Sequence, residues 1–297
     1  MLAQLLRFVL FGQMITGAVI GLALIYTVQA PVWIAAAMAL AMPLIGMVLA
    51  DLWTCWVSRA NEPIALWWKS LFGENWAGIR IFLLRQPWTR KPPQLLPALG
   101  TQKRIPVVLV HGFVCNHRIW DDVTRTLRAA GHDVFAVNLE PLFGSIDKYP
   151  PIVESAVNAL CKHSGHSKVV LVGHSMGGLA IRSWMRKFGT DRAARVLTLG
   201  TPHWGTKARA PFPAVNGSEM HWQSDWLKAL AASESDSTRS LLRIALTPQD
   251  NIVYPQRAQT LEGVETVVFE GIGHLQMCTE AAVINWIAKE LQTCAQP

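Results

Sequence analysis

The chain has 297 residues, more than one core needs and enough for a domain of about 200 residues with an appendage. Hydrophobic residues make up 51%, charged residues 16%, and the net charge is +7; with no basic run interleaved with stacking aromatics and no nucleic-acid module, nucleic acid is excluded as a partner. The five cysteines (Cys55, Cys115, Cys161, Cys278, Cys294) are an odd set without CxxC spacing, in a chain too long to need staples, so ordinary thiols are expected rather than a disulfide framework.

From Phe8 to Ala50 there is no Asp, Glu, Lys or Arg. As one helix these residues would run about 64 Å, roughly twice a bilayer's hydrocarbon thickness, so two spans fit better than one. The first run covers Leu5 to Val28 and the second Val32 to Leu52, with Pro31 between them lacking an N–H and disfavouring helix at Ala30. Trp53 and Trp56 follow as a headgroup-level belt, and Gly17 and Gly21 match a small-xxx-small helix contact. Two rival readings stay open: a secretory signal cut after Val28-Gln29-Ala30, which Pro31 would hinder, and a single long span. A hairpin over residues 1–58, touching lipid through residues 5–56, is the preferred reading.

Residues 59–103 are rich in Trp, Arg and Pro. Between Arg59 and Arg104 there are eight Lys/Arg and two Glu, a juxtamembrane excess suited to anionic lipid. Ile64–Phe72 and Trp76–Leu84 fit amphipathic helices, either lying in the interface or covering the sheet of the domain that follows. Pro92, Pro93 and Pro97 mark a linker.

From residue 104 to 297 apolar runs alternate with helical patterns, the sign of an α/β domain with a mostly parallel sheet. Strands are expected at Pro106–Val110, Asp133–Leu139, Lys168–Val172, Arg195–Leu199, Ser240–Leu246 and Glu265–Phe269. Helices are expected at Ile119–Ala130, Pro151–Lys162, Met176–Phe188 and Ala281–Leu291. The near-continuous Val/Leu content of the strands suits burial on both faces.

Gly173-His174-Ser175-Met176-Gly177-Gly178 fits G-x-S-x-G, with strand pattern before it and helix pattern after it. A nucleophilic serine at a strained strand-to-helix turn needs glycine on both sides, where a side chain would clash. Serine also needs a base. His274, after the last strand, fits by position, whereas His111 precedes the nucleophile and would hold its loop by a hydrogen bond. His174 and His203 are expected to pack. Asp250, just past the strand ending at Leu246, completes the order Ser…Asp…His; Asp225, Asp236 and Glu270 are weaker competitors. The oxyanion donors expected are the backbone N–H groups of Met176 and Phe113, with Val114 as fallback and Gly112 permitting close approach. No metal ligand set is legible, and no cofactor is expected.

His111-Gly112-Phe113, the Ser175 motif, Leu199-Gly200-Thr201-Pro202-His203-Trp204-Gly205-Thr206 and Gly273-His274 together resemble bacterial lipases and esterases of the α/β-hydrolase superfamily, over about residues 104–292. The resemblance implies an α/β-hydrolase fold with helices on both sheet faces and a carboxylic ester substrate. It also implies that Thr201, Pro202 and Gly205 shape the acyl pocket. The insert 204–239 carries Trp204, Trp222 and Trp226 and reads as a lid or pocket wall. Trp222, Trp226 and Leu230 recur every four residues, as one helical face would. The anchor would lie in a membrane, the inner membrane for a bacterial enzyme. With a hairpin, the Lys/Arg excess after Trp56 places the catalytic domain on the cytoplasmic side. Thioesterase or amidase chemistry on the same triad, and a catalytically silent membrane binding module, are the competing functions.

Overall fold

The uncharged run folds as two helices that turn back on each other. The computed structural model describes residues 1–100, 103–209 and 212–294. Helix α1 (Leu2–Val28) ends where Gln29 enters left-handed backbone at φ 53°, and α2 (Trp33–Ser58) starts just beyond Pro31. Each is longer than its apolar run suggests; α2 continues through Trp53 and Trp56. Gly17 and Gly21 sit in the contact, facing Met38 and Ala35. Most other apolar side chains point outward, among them Phe8, Ile15, Leu40 and Leu49. Both helices are long and apolar enough to cross a membrane.

The hairpin's open end is tied to the rest of the chain. Arg7 Nη1 donates to the Pro87 carbonyl at 2.7 Å. Asn251 Nδ2 donates to Thr54 Oγ1 at 3.1 Å, and Gln256 Nε2 donates to the Ser58 carbonyl at 3.0 Å. The first turns of α1 and the last of α2 therefore lie on the same side.

Helix α3 (Ile64–Gly78) joins the two short helices expected there, because Gly73 between them weakens a helix without ending it. It runs into a π-helical turn, Ile79–Arg85. One stripe (Trp67, Leu71, Glu74, Ala77, Ile81) is buried, while Ile64, Trp68, Phe72 and Trp76 are exposed. The two roles weighed for this segment thus fall on opposite faces: one covers the domain that follows and the other presents aromatic rings outward. Arg80 and Arg85 fasten it to Asp122, with N···O distances of 2.7 to 3.0 Å.

Seven strands follow: β1 (Leu95–Leu96), β2 (Arg104–Val110), β3 (His132–Ala136), β4 (Val169–His174), β5 (Ala193–Leu199), β6 (Leu242–Leu246) and β7 (Glu265–Val268). Their order is β1-β3-β2-β4-β5-β6-β7. All pairs are parallel except β1 with β3. β1 lies among the prolines read as a linker, so that stretch contributes an edge strand, the position where proline is tolerated. Helices α4 (Asp121–Ala129), α5 (Pro150–Ser164), α6 (Met176–Phe188) and α10 (Ala281–Gln292) cover the two faces. Side chains alternate across the sheet. Val108, Val110, Val169 and Leu171 enter one core; Val107, Leu109, Val170 and Val172 enter the other. Double burial explains why these strands show no polar alternation.

The strand expected at Ser240–Leu246 begins only at Leu242. Before it, Ser235 caps a short helix by accepting the Thr238 N–H at 3.2 Å. The insert folds as α7 (Val215–Glu219), α8 (Asp225–Ala232) and α9 (Asp236–Ser240), with residues 210 and 211 outside the described ones. Ser224 caps α8 by accepting the Leu227 N–H, so Trp222 precedes the helix and does not share a face with Trp226. The four-residue spacing misleads there.

Arg182 of α6 and Glu234, just after α8, form a buried pair with N···O distances of 2.6 and 2.9 Å, and Arg182 also donates to the His203 carbonyl. Glu234→Ala leaves that guanidinium buried without its counter-charge, so a loss of about 3–5 kcal/mol of stability is expected. Thermal unfolding of the detergent-solubilised variant checks this; an unchanged Tm would show that water or another group already neutralises Arg182.

Candidate active site

The turn from β4 into α6 holds Ser175 at φ 55°, ψ −128°. That backbone is costly for a residue with a Cβ and persists only when its surroundings hold it. Here the Ser175 N–H donates to the Leu199 carbonyl at 2.8 Å, and the Gly178 N–H to the Ser175 carbonyl at 3.1 Å. A Cβ on Gly177 would lie 2.1 Å from the Val110 carbonyl oxygen, and one on Gly173 2.6 Å from the Gly178 nitrogen. Both obstructions are backbone. Gly177→Ala is therefore expected to displace the turn, cost about 1–3 kcal/mol as overpacking does, and remove activity. Comparing Tm with the rate of serine-directed labelling tests this; normal values for both would contradict it.

His274 lies between β7 and α10, at the start of a short turn, Leu275–Cys278. Its Nδ1 is 2.8 Å from Asp250 Oδ2. The other Asp250 oxygen accepts the N–H groups of Ile252 and Val253 at 2.9 and 2.7 Å. A carboxylate so occupied fixes Nδ1 as the donor and leaves Nε2 as a base. Burial alone would push the imidazole's pKa down. The charge and hydrogen bond of Asp250, with the charge of Glu74, outweigh it and raise the pKa above the usual value. Asp225 and Asp236 instead open α8 and α9, and Glu270 is exposed.

Ser175, Asp250 and His274 are 7%, 2% and 4% exposed, so the serine keeps the most access. Among the described residues Ser175 Oγ hydrogen-bonds to no group. Such hydrogen bonds are often long until a substrate seats. Gly112 lies against the serine: a Cβ there would be 2.7 Å from Ser175 Cβ and 3.3 Å from its Oγ. Met176 opens α6, where its N–H has no intrahelical partner, and the Phe113 N–H donates to no group among the described residues.

His111 orders that loop. The Leu139 N–H donates to its Nε2 at 3.0 Å, which leaves Nδ1–H to donate to the Gly112 carbonyl at 2.8 Å. Burial depresses its pKa to about 4, consistent with this neutral tautomer. Val114 beside it has φ 52°. His174 donates from Nε2 to the His274 carbonyl at 3.0 Å, and burial holds it well below the usual imidazole range. His203 is buried between Thr198 and Arg182.

The pocket residues separate into two groups. Thr201 packs on the first turn of α6, where a Cβ on Gly178 would meet its Oγ1 at 2.1 Å, and Pro202 is buried next to it. The tryptophans are tied to other parts of the chain. Trp204 Nε1 donates to the Thr260 carbonyl at 2.8 Å. The Trp222 N–H donates to the Thr206 carbonyl. Trp226 Nε1 donates to Asp147 Oδ2 at 3.0 Å, under the Arg186 guanidinium, at the far end of α6 from the serine. Sequence reasoning missed Phe143 and Phe212, whose rings pack on each other at 4.8 Å and on Phe113 at 5.8 and 6.2 Å. It also missed Glu74. No local motif marks either.

Fold and site together define the class. Residues 105–233 match the family described as the alpha/beta hydrolase fold, and the mostly parallel seven-stranded sheet with the Ser175 turn after β4 has that fold. It is 33% identical over 113 residues to a triacylglycerol lipase of Pseudarthrobacter phenanthrenivorans, covering 35% of each chain. It is likewise 33% identical over 113 residues to a triacylglycerol lipase of Burkholderia plantarii, covering 35% of this chain and 31% of that one. It thus spans about a third of the length of these relatives. Among solved structures, the propeptide form of Bacillus licheniformis lipase BlEst2 superimposes with a TM-score of 0.59 at 14% identity, covering 70% of this chain and 55% of that one, a likeness of fold.

Proposed function

We propose that the protein is a membrane-anchored serine hydrolase that cleaves lipophilic carboxylic esters through an acyl-enzyme on Ser175. The observation that carries this reading is the His274 imidazole, locked by Asp250 through Nδ1 at 2.8 Å, at the sheet edge where the strained Ser175 emerges. Ser175 Oγ attacks the ester carbonyl as His274 Nε2 takes its proton. The N–H groups of Met176 and Phe113 hold the oxyanion. His274 then protonates the leaving alcohol, and water, activated by the same nitrogen, releases the acid.

Three features support a lipophilic substrate presented from a membrane: the apolar helices α1 and α2, the outward aromatic stripe of α3, and the Phe113–Phe143–Phe212 cluster beside Gly112. The tie between the open end of the hairpin and the loop that carries Asp250 would set the active-site edge toward the bilayer. The Lys/Arg excess after Trp56 favours a cytoplasmic-facing domain at an inner membrane. Trp204 and the insert 204–239 remain candidates for a pocket wall or lid.

The test is hydrolysis of p-nitrophenyl esters of rising chain length by the solubilised protein, beside matched thioesters and anilides. The proposal expects kcat/KM to be highest for esters and to rise with chain length, each buried methylene contributing about 0.8 kcal/mol. Preference for the thioesters or anilides would move the assignment to those reactions. No turnover of any of them by the folded protein would favour a binding module.

A further inference from the structure

The segment before the catalytic domain reaches its base. Glu74 of α3 is 2% exposed, a position carboxylates rarely occupy without strong partners. Its Oε1 accepts the Leu275 N–H at 2.9 Å and its Oε2 the Gln276 N–H at 3.0 Å. These are the first free N–H groups of the turn that His274 opens, donors that would otherwise be orphaned in a buried site. The fit is tight on both sides. A Cβ on Gly273 would lie 2.4 Å from Glu74 Oε2, and one on Gly73 2.1 Å from Gln276 Oε1. Glycine therefore stands next to Glu74 and next to His274, each leaving room for a side chain of the opposite segment, Gln276 over Gly73 and Glu74 over Gly273.

From this geometry we infer that Glu74 is a positioning residue for His274, so that α3 is part of the active site and not only a connector to the anchor. The inference rests on the reading of His274 as catalytic base. Its chemistry is that of an outer carboxylate: it clamps the two peptide groups following the imidazole, and its charge favours the imidazolium that forms during acyl transfer. Burial raises the Glu74 pKa to about 7, opposed by His274 and by the two N–H groups. The groups facing it are His274, Asp51 and Cys55 of α2, Cys115 after β2 and Cys278 in the turn. His274 itself faces Asp250, Glu74 and the neutral His174. Of the groups facing His274, Glu74 is the carboxylate that comes from the N-terminal segment.

The experiment compares full-length wild type, Glu74→Gln and Glu74→Ala in detergent, reading kcat, KM and the pH profile of kcat/KM on one chromogenic ester. Glu74→Gln keeps the shape and one acceptor oxygen. It is expected to lower kcat about 10-fold with KM little changed, and to move the acidic limb to lower pH, because the charge that raised the imidazole's pKa is gone. Glu74→Ala is expected to lower kcat about 100-fold, the scale of a misplaced catalytic group. A Glu74→Gln variant with wild-type kcat and an unmoved limb overturns the positioning role alone, even if Glu74→Ala fails to fold. A wild type that shows no Ser175-dependent turnover overturns the hydrolase reading and this inference with it.

Discussion

Ser175→Ala is expected to lower kcat by about 10⁶-fold, the scale seen when a triad serine is removed. The loss would be chemical and not structural. Alanine keeps the Cβ, so it meets the same backbone constraint at φ 55° and leaves the Ser175 N–H to Leu199 hydrogen bond available. Since Ser175 Oγ bonds to no described group, deleting it removes no tie that holds the fold. Tm is therefore expected to stay within about 2 °C of wild type, a change of under 1 kcal/mol for a chain of this size. A residual rate above water is expected from the N–H groups of Met176 and Phe113, which the substitution leaves in place. The measurement is single-turnover hydrolysis of a p-nitrophenyl ester alongside thermal unfolding. A variant keeping a tenth of the activity would point to another nucleophile.

Asp250→Asn is expected to lower kcat about 10⁴-fold near neutral pH, as the loss of the orienting carboxylate does in other triads. The new amide would turn a donor toward Nδ1, push the proton onto Nε2, and remove the base from the face where the serine lies. The backbone ties to Ile252 and Val253 need only an oxygen acceptor, which asparagine retains. The pH profile carries a second expectation. Catalysis needs the neutral imidazole, and its pKa is raised by Asp250 and Glu74 against the pull of burial. The wild-type kcat/KM should therefore fall as pH drops through a value above 6.5, about tenfold per unit below it. In Asp250→Asn that limb should move to lower pH, since the favourable charge is lost. A limb that moves up, or does not move, would show that another group controls it.

Much of the fold is legible in the sequence because its signals are local. Pro31 marks the hairpin turn, and the Val/Leu runs mark strands buried on both faces. Gly173 and Gly177 mark a turn too tight for side chains. Asp250 and His274 are legible by order along the chain. The misses share a cause: the deciding partner is remote or the local pattern is ambiguous. Glu74 pairs with residues 201 and 202 positions away, and nothing around it distinguishes it from a surface glutamate. Phe143 and Phe212 meet Phe113 only after three loops converge. The Trp222–Trp226–Leu230 spacing looks helical, but the Ser224 cap starts the helix between the two tryptophans. Strand β1 hides among prolines because an edge strand tolerates them.

The central claim concerns one hydroxyl, and one measurement reaches it most directly. The solubilised wild-type protein is treated with a fluorophosphonate, digested, and the adduct is mapped by mass spectrometry. The account predicts a single phosphonylated residue, Ser175, at one adduct per chain, formed more slowly as pH falls below the His274 pKa. An adduct on a different serine, or a folded protein that takes up no reagent while helices α1 and α2 are intact, would contradict it.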